Sequence, residues 1–218
     1  MHRFCGIIDR SASAAPSIAD NAVVRAALGA ASVANSLAAA SFAALATAKH
    51  AKQAQSIDAL HIADDLIVVA DARIDGQADL RAALADLAPP ADAPAAALIA
   101  AAWRRWGAHC PLFLYGDYAF VLHDRDSGTS FAARDHVGAR PFFYALTGDR
   151  LAFASDPAAL LALPGVPDDL DEDFIASILI HRKFQPMGRS FQRAVRRLEP
   201  GHRLFLAGGD ARLDQIGR

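Results

Sequence analysis

Short apolar runs, punctuated by turn-forming clusters, alternate with stretches of helical period along this chain. Phe4 to Ile8 is an apolar run that stops at Asp9-Arg10 and predicts a first strand. Ser11 to Asp20 is rich in Ser, Ala and Pro and reads as a loop. From Asn21 to Ala51 alanine prevails, and Val23, Val24, Ala27, Leu28 and Ala31 share one helical face, so helix is the expectation there. Small side chains bury little area, so Asn21 to Ser56 is expected to gain least from packing. Asp65 to Ile74, DLIVVADARI, is β-branched and predicts a strand. Asp75-Gly76 supplies a turn, and Gln77 to Leu87 a helix with Leu80, Leu84 and Leu87 on one face, stopped by Pro89-Pro90. Ala93 to Trp106 predicts a second helix with Gly107 as its C-cap.

The texture changes after Leu112. GDYAFVLHD, TSFAARD, RPFFYAL and RLAFAS are short alternating strands separated by the turns DRDSG, HVGA and TGD, which predicts antiparallel hairpins. Asp156 to Leu163 predicts a short helix ended by Pro164-Gly165. Asp171 to Ile180 predicts another, with Asp171 as N-cap and acids in the first turn. His202 to Leu206 reads as a last strand, and Gly208-Gly209 as a turn. The aromatic set Phe113, Tyr118, Phe120, Phe131, Phe142, Phe143 and Phe153 is expected to pack between sheets. The order is α+β, without the βαβ alternation of a parallel sheet.

Composition narrows the function classes. The chain has 218 residues, enough for a sizeable core in a single domain spanning 1–218. A formal net charge of -2 provides no electrostatic reason for a nucleic-acid or membrane partner. The 53% apolar fraction includes 51 Ala, and no run of 18 apolar residues occurs. Cys5 and Cys110 are too few for a disulfide framework or a four-thiolate zinc site. No secretory signal precedes the first strand, so the expected compartment is the cytoplasm. Nucleotide loops of the GxxxxGK[ST] or GxGxxG type, HExxH and CxxC metal spacings and the GxSxG elbow are all missing, so no metal site and no cofactor are expected in the chain itself.

Four stretches are specific. They are WRRWGAHCPLFLYGDYAFVLHDRDSGTSFAAR from Trp103, ARDHVGARPFFY from Ala133, FASDPAALLALPGVPDDLDEDFIASIL from Phe153, and FQRAVRRLEPGHRL from Phe191. Together they resemble the N-terminal class II glutamine amidotransferase domain of asparagine synthetase-like proteins, an N-terminal-nucleophile glutaminase. Cys5-Gly6-Ile7 fits the position of the family nucleophile. The resemblance implies a four-layer αββα sandwich of two antiparallel sheets. It also implies a chemistry in which an N-terminal Cys attacks the glutamine side-chain amide, with its own α-amine as general base. The ammonia released feeds a second, adenylating domain that uses ATP and magnesium. That domain's SGGxDS loop is not in these residues, so ATP and magnesium are implied only for a partner synthetase domain or subunit.

The substrate-contacting positions depart from the family pattern. Four residues precede Cys5, so a free α-amine requires cleavage after Phe4. Either MHRF is a tetrapeptide propeptide, or Cys5 is a small buried thiol on the first strand, which is the expectation. The family's Asn-Gly oxyanion pair aligns with Asp71-Ala72, and a carboxylate repels a developing oxyanion instead of donating to it. The family acid that grips the glutamine α-amine aligns with Ala95, with Asp92 out of register. The arginine that pairs with the glutamine carboxylate falls in ALATAKHAKQAQS, where Lys49 or Lys52 offers only a point charge. Arg134-Asp135 and Arg140-Pro141 are expected to hold the hairpins and the helix layers together, as the resemblance implies.

The expectation is a degenerate glutaminase domain, a pseudo-glutaminase with a structural or docking role in an amide-forming ligase. Lasso-peptide cyclases and β-lactam-forming synthetases keep silent domains of this kind. The alternatives are an active glutaminase that takes glutamine and supplies ammonia for asparagine synthesis, and a free-standing binding module. Pairing of two copies as a homodimer is left open.

Overall fold

The structure, a computed structural model, describes residues 2–9, 42–49, 60–63, 65–148, 150–180, 187–207 and 210–217. Among them, in chain order, are β1 (His2–Asp9), β2 (Phe42–Lys49), β3 (Leu60–Ile62), β4 (Leu66–Asp75), α1 (Gln77–Leu84), α2 (Ala95–Trp106), β5 (Tyr115–Asp124) and β6 (Thr129–Arg134). These are followed by β7 (Phe143–Thr147), β8 (Arg150–Ala154), α3 (Pro157–Leu161), α4 (Glu172–Ile180), β9 (Arg196–Arg197), β10 (His202–Ala207) and β11 (Asp210–Gln215). Two antiparallel sheets result, a five-stranded one in the order β2-β1-β8-β7-β9 and a six-stranded one in the order β11-β10-β6-β5-β4-β3.

Strand alternation sorts the buried side chains into three layers. Ile67 and Val69 of β4, Ala119 and Val121 of β5, and Phe4 and Ile8 of β1 lie between the sheets. Leu66, Val68, Tyr118, Phe120 and Phe131 face the other way and pack under α1 and α2. On the far side, Cys5, Ile7, Ala145 and Ala152 pack against Ala159 and Leu160 of α3. This is the αββα order. The aromatic set is therefore divided. Phe142 and Phe153 stack between the sheets, their rings 6.0 and 6.3 Å from that of Phe4. Tyr118, Phe120 and Phe131 lie in the helix layer instead, because their strand parity is opposite. Phe143 packs at the margin of the α3 layer, and Phe113 is 40% exposed, stacked on Trp106.

Helix α2 lies flat on its sheet because Ala96 to Ala102 are all buried, and it ends at Gly107, whose φ is 55°. Helix α1 stops at Leu84, and a 3₁₀ turn carries Leu87, which is only half-buried. Asp171 caps α4, its Oδ1 accepting from the Phe174 N–H at 3.2 Å. Asp156 caps α3 in the same way, accepting from the Ala158 N–H at 2.9 Å.

Three expectations change. Phe42–Lys49 is a strand, not part of an alanine helix, and it pairs with β1 from His2↔Lys49 to Ile8↔Phe42. Ladder pairing beside a buried strand overrides alanine's helix propensity. The rest of the predicted helix, 21–41 and 50–51, lies outside the described residues, as does the Gly208-Gly209 turn. The HVGA turn is not a hairpin, since β6 belongs to one sheet and β7 to the other. His202–Ala207 is not the last strand, because β11 pairs along its whole length. Leu60–Ile62 adds a short strand that three residues are too few to signal.

The passage between the sheets is built from charge. Arg134 is 1% exposed. Its Nε, Nη1 and Nη2 donate to the carbonyls of Arg140, Leu198 and Gly138, each at 2.6 Å. Burial pushes its pKa down to about 10, with Arg197 nearby adding to the fall, so it keeps its charge at neutral pH. Asp135, also 1% exposed, accepts from the N–H groups of Tyr118, Val137, Ala139 and Arg140. Gly138 takes φ 68°, and a Cβ there would stand 2.8 Å from Pro200 Cγ and 3.0 Å from Arg134 Nη2.

Arg134→Leu leaves three inward carbonyls without their donor. It is expected to cost about 3 kcal/mol or more in equilibrium denaturant unfolding; a cost under about 1 kcal/mol would contradict this account. A second expectation concerns pH. His123 is buried, its Nδ1 2.9 Å from Ser130 Oγ, and burial lowers its pKa. The folded protein thus binds fewer protons than the unfolded chain just below the ordinary histidine value. Stability is full above that value and falls as pH drops through it. The melting temperature should decline from pH 7.5 to 5.5, and His123→Gln should decline less; equal slopes would remove His123 from the account.

Candidate functional site

Cys5 sits fourth in β1, between Ala46 of β2 and Ala154 of β8, and is wholly buried. Its parity sends the side chain to the α3 layer, with Ile7. The residue before it is built into the opposite layer. Phe4 is 0% exposed and packs between the sheets. Its N–H donates to Ser155 Oγ at 3.0 Å, and its carbonyl accepts from the Ser155 N–H at 2.9 Å and the Ser155 hydroxyl at 3.3 Å. Ser155 belongs to the FASD stretch that carried part of the family resemblance.

Asp71 and Ala72 lie in β4 opposite Ala119 and Tyr118 of β5. Strand β3 pairs only as far as Val69, so among the described residues the other edge of β4 has no neighbouring strand at Asp71 and Ala72. Asp71 has the parity of Ile67 and Val69, so its side chain enters the space between the sheets, where it is 2% exposed. Arg140 Nη1 stands 3.7 Å from its Oδ1. Ala72 points the other way, into the helix layer, and Ala95 is the first residue of α2 in that same layer. The structure thus brings Ala72 and Ala95 to one cluster, Asp71 to the inter-sheet core and Cys5 to the α3 layer. Asp92 is exposed near the start of α2. Lys49 ends β2, and Lys52 lies outside the described residues.

Arg140 is the site neighbour that the sequence assigned only to a structural role in hairpins and helix layers. Its signal was present in DHVGARP, where a glycine turn precedes an arginine by two residues. What the sequence did not show is that β6 and β7 occupy different sheets, which makes that turn face β4. Cys110, the second thiol, is fully buried, and burial pushes its pKa far above the ordinary range, so it is no nucleophile. A cleft of about 250 Å³ lined by Leu80, Trp106, Phe113, Tyr115 and Asp79 lies among α1, α2 and β5, and contains none of the aligned site positions. Among the described residues no cluster of His, Cys, Asp and Glu has the makings of a metal site.

A sequence model of the glutamine amidotransferase domain matches residues 34–215, well over half of the chain. The chain belongs to the class II glutamine amidotransferase family. The matched stretch begins after Cys5. Over 99 residues the chain is 30% identical to the glutamine-hydrolyzing asparagine synthetase 3 of Bacillus subtilis, covering 45% of this chain and 16% of that protein. Over 108 residues it is 27% identical to the amidase chyE of Penicillium rubens, covering 50% of this chain and 15% of that one. The domain is thus related to asparagine synthetases and spans about a sixth of the length of these curated relatives. Among solved structures, the glutamine phosphoribosylpyrophosphate amidotransferase of B. subtilis superposes with a TM-score of 0.63 at 14% identity. It covers 100% of this chain and 49% of that chain, a likeness of fold. No helix among the described residues is long and apolar enough to cross a membrane.

Phe4 supplies a measurable consequence. Phe4→Ala is expected to cost about 3–5 kcal/mol, the usual cost of emptying an aromatic core site. A chain that begins at Cys5 should lose at least as much, since it also gives up the pairing of residues 2–4 with β2. Equal denaturation midpoints for that shortened chain and the full one would show that the four residues are dispensable.

Proposed function

We propose that this chain is a degenerate glutamine amidotransferase domain of an asparagine synthetase-related, amide-forming ligase. It serves the ATP-using synthetase domain or subunit as a structural or docking element, not as a source of ammonia. The burial of Phe4 carries this reading. While Phe4 precedes Cys5, the Cys5 nitrogen is a peptide amide with no basic lone pair, and the general base of the mechanism is missing. Releasing that amine means cutting β1 directly after a residue whose ring is fully buried between the sheets and whose main chain makes three bonds to Ser155.

Asp71 supports the same reading. A buried carboxylate at the aligned oxyanion position has charge of the wrong sign for a tetrahedral intermediate, and its nearby cation, Arg140, is already engaged with it. Loss of one oxyanion donor alone typically costs about a hundred- to a thousandfold in rate. Ala95 offers no charge to a glutamine α-amine. On this reading ATP and magnesium belong to the synthetase partner and have no role in this chain.

The competing reading is a glutaminase matured by cleavage after Phe4, favoured by the place of Cys5-Gly6-Ile7 at the family nucleophile position. Intact mass together with glutamine-dependent ammonia release separates the two. The purified chain, with residues before Cys5 present, is expected to release ammonia no faster than Cys5→Ala does. Ammonia release that disappears in Cys5→Ala, from a chain whose first residue is Cys5, would replace this proposal with the active enzyme.

A further inference from the structure

We infer that the surface formed by Leu170, Phe191 and the outer side of α4 is a self-association face whose occupant is a second copy of this chain. Helix α4 reads EDFIASILI, with six apolar residues in nine, yet Phe174 is its only buried one. Leu179 and Ile180 at its end are 73% and 72% exposed. A helix this apolar ordinarily buries a stripe against something.

The ground beside the helix explains what that something is. Two extended segments run antiparallel there, with Leu170 bridged to Gln192. The Arg193 N–H donates to the Asp169 carbonyl at 2.9 Å, and the Asp171 N–H to the Phe191 carbonyl at 2.8 Å. Leu170 and Phe191 are each 54% exposed, and the Phe191 ring meets Phe174 edge-on at 5.9 Å. One segment carries the exposed acids Asp168 and Asp169, continued by the exposed acids Glu172 and Asp173 at the start of α4; the other carries the exposed base Arg193, continued by Arg196 on the edge strand β9.

A face of single sign calls for a partner of the opposite sign. This face carries both signs side by side, with apolar groups between, and is its own complement. A twofold axis through the antiparallel pair sets the acidic segment of one copy on the basic segment of the other and covers Leu170 and Phe191 from both sides. The cleft near Tyr115 lacks this property, since Asp79 is the one charged group in its lining. The inference is independent of whether Cys5 is active.

Sedimentation velocity across micromolar to sub-millimolar concentrations tests it. The chain is expected to dimerise reversibly. Leu179→Lys, at an exposed helix position where folding has little at stake, should weaken the dimer about tenfold or more. Two charge-reversed variants provide the decisive arm. Asp168→Lys with Asp169→Lys, and Arg193→Glu with Arg196→Glu, should each be monomeric with unchanged far-UV circular dichroism. Mixed in equal amounts they should form a heterodimer, because one face has then gained positive charge and the other negative. A wild-type chain that stays monomeric, a dimer indifferent to these substitutions, or a mixture that stays monomeric would overturn the proposal.

Discussion

A buried guanidinium holds the two sheets in one molecule. The chain leaves the six-stranded sheet at Arg134 and enters the five-stranded one at Phe143. In that short passage the backbone has no ladder to satisfy it. Arg134 supplies the missing donors to three carbonyls, one of them at Leu198, next to the edge strand. Asp135 supplies the missing acceptors to four N–H groups. Charged partners make strong hydrogen bonds, and two neighbouring buried charges of opposite sign limit each other's desolvation cost. The geometry leaves little freedom. Gly138 takes a left-handed conformation, and any side chain there would collide with Pro200 or Arg134 itself. The same loop delivers Arg140 to Asp71, so the electrostatics around Asp71 follow from the device that joins the sheets.

Much of the fold was legible because its signals are local. The β-branched run at Leu66–Asp75, the glycine cap after Trp106 and the Asp171 cap of α4 each depend on a handful of adjacent residues. The misreadings are long-range. Phe42–Lys49 carries alanine's helical preference, and only the presence of β1 beside it makes it a strand. The HVGA turn has hairpin residues, yet turn chemistry does not say to which sheet the next strand will return. Tyr118 and Phe153 both alternate properly along their strands, but alternation says only that two faces exist, not which of them meets a helix.

The candidate site was legible in a different sense. Alignment with family text named Cys5, Asp71, Ala72 and Ala95. No pattern in the sequence could show that Phe4 closes the inter-sheet core or that Ser155, some 150 residues later, bonds both its N–H and its carbonyl. A tetrapeptide at a chain start resembles a removable leader by position alone. In the structure its last residue contacts Phe142 and Phe153 in the layer that joins the sheets. The difference between a leader and a first strand is an energetic one, set by area buried and bonds made.

The resemblance to glutaminases and the doubt about glutaminase chemistry have one physical origin. Within the stretches that carry the resemblance, Arg134, Asp135 and Ser155 of FASD direct their polar groups at backbone. Backbone groups are the same whatever the domain does, so these residues are required wherever the two sheets must be joined. The positions aligned with the family's glutamine site have other surroundings. Ala72 and Ala95 settle into the helix layer, and Asp71 gains Arg140. A family match carried by scaffold residues therefore reports architecture faithfully and chemistry only weakly. In this chain the main-chain bonds and aromatic packing of Phe4 secure β1 next to Cys5, so the residue before that thiol is part of the same scaffold.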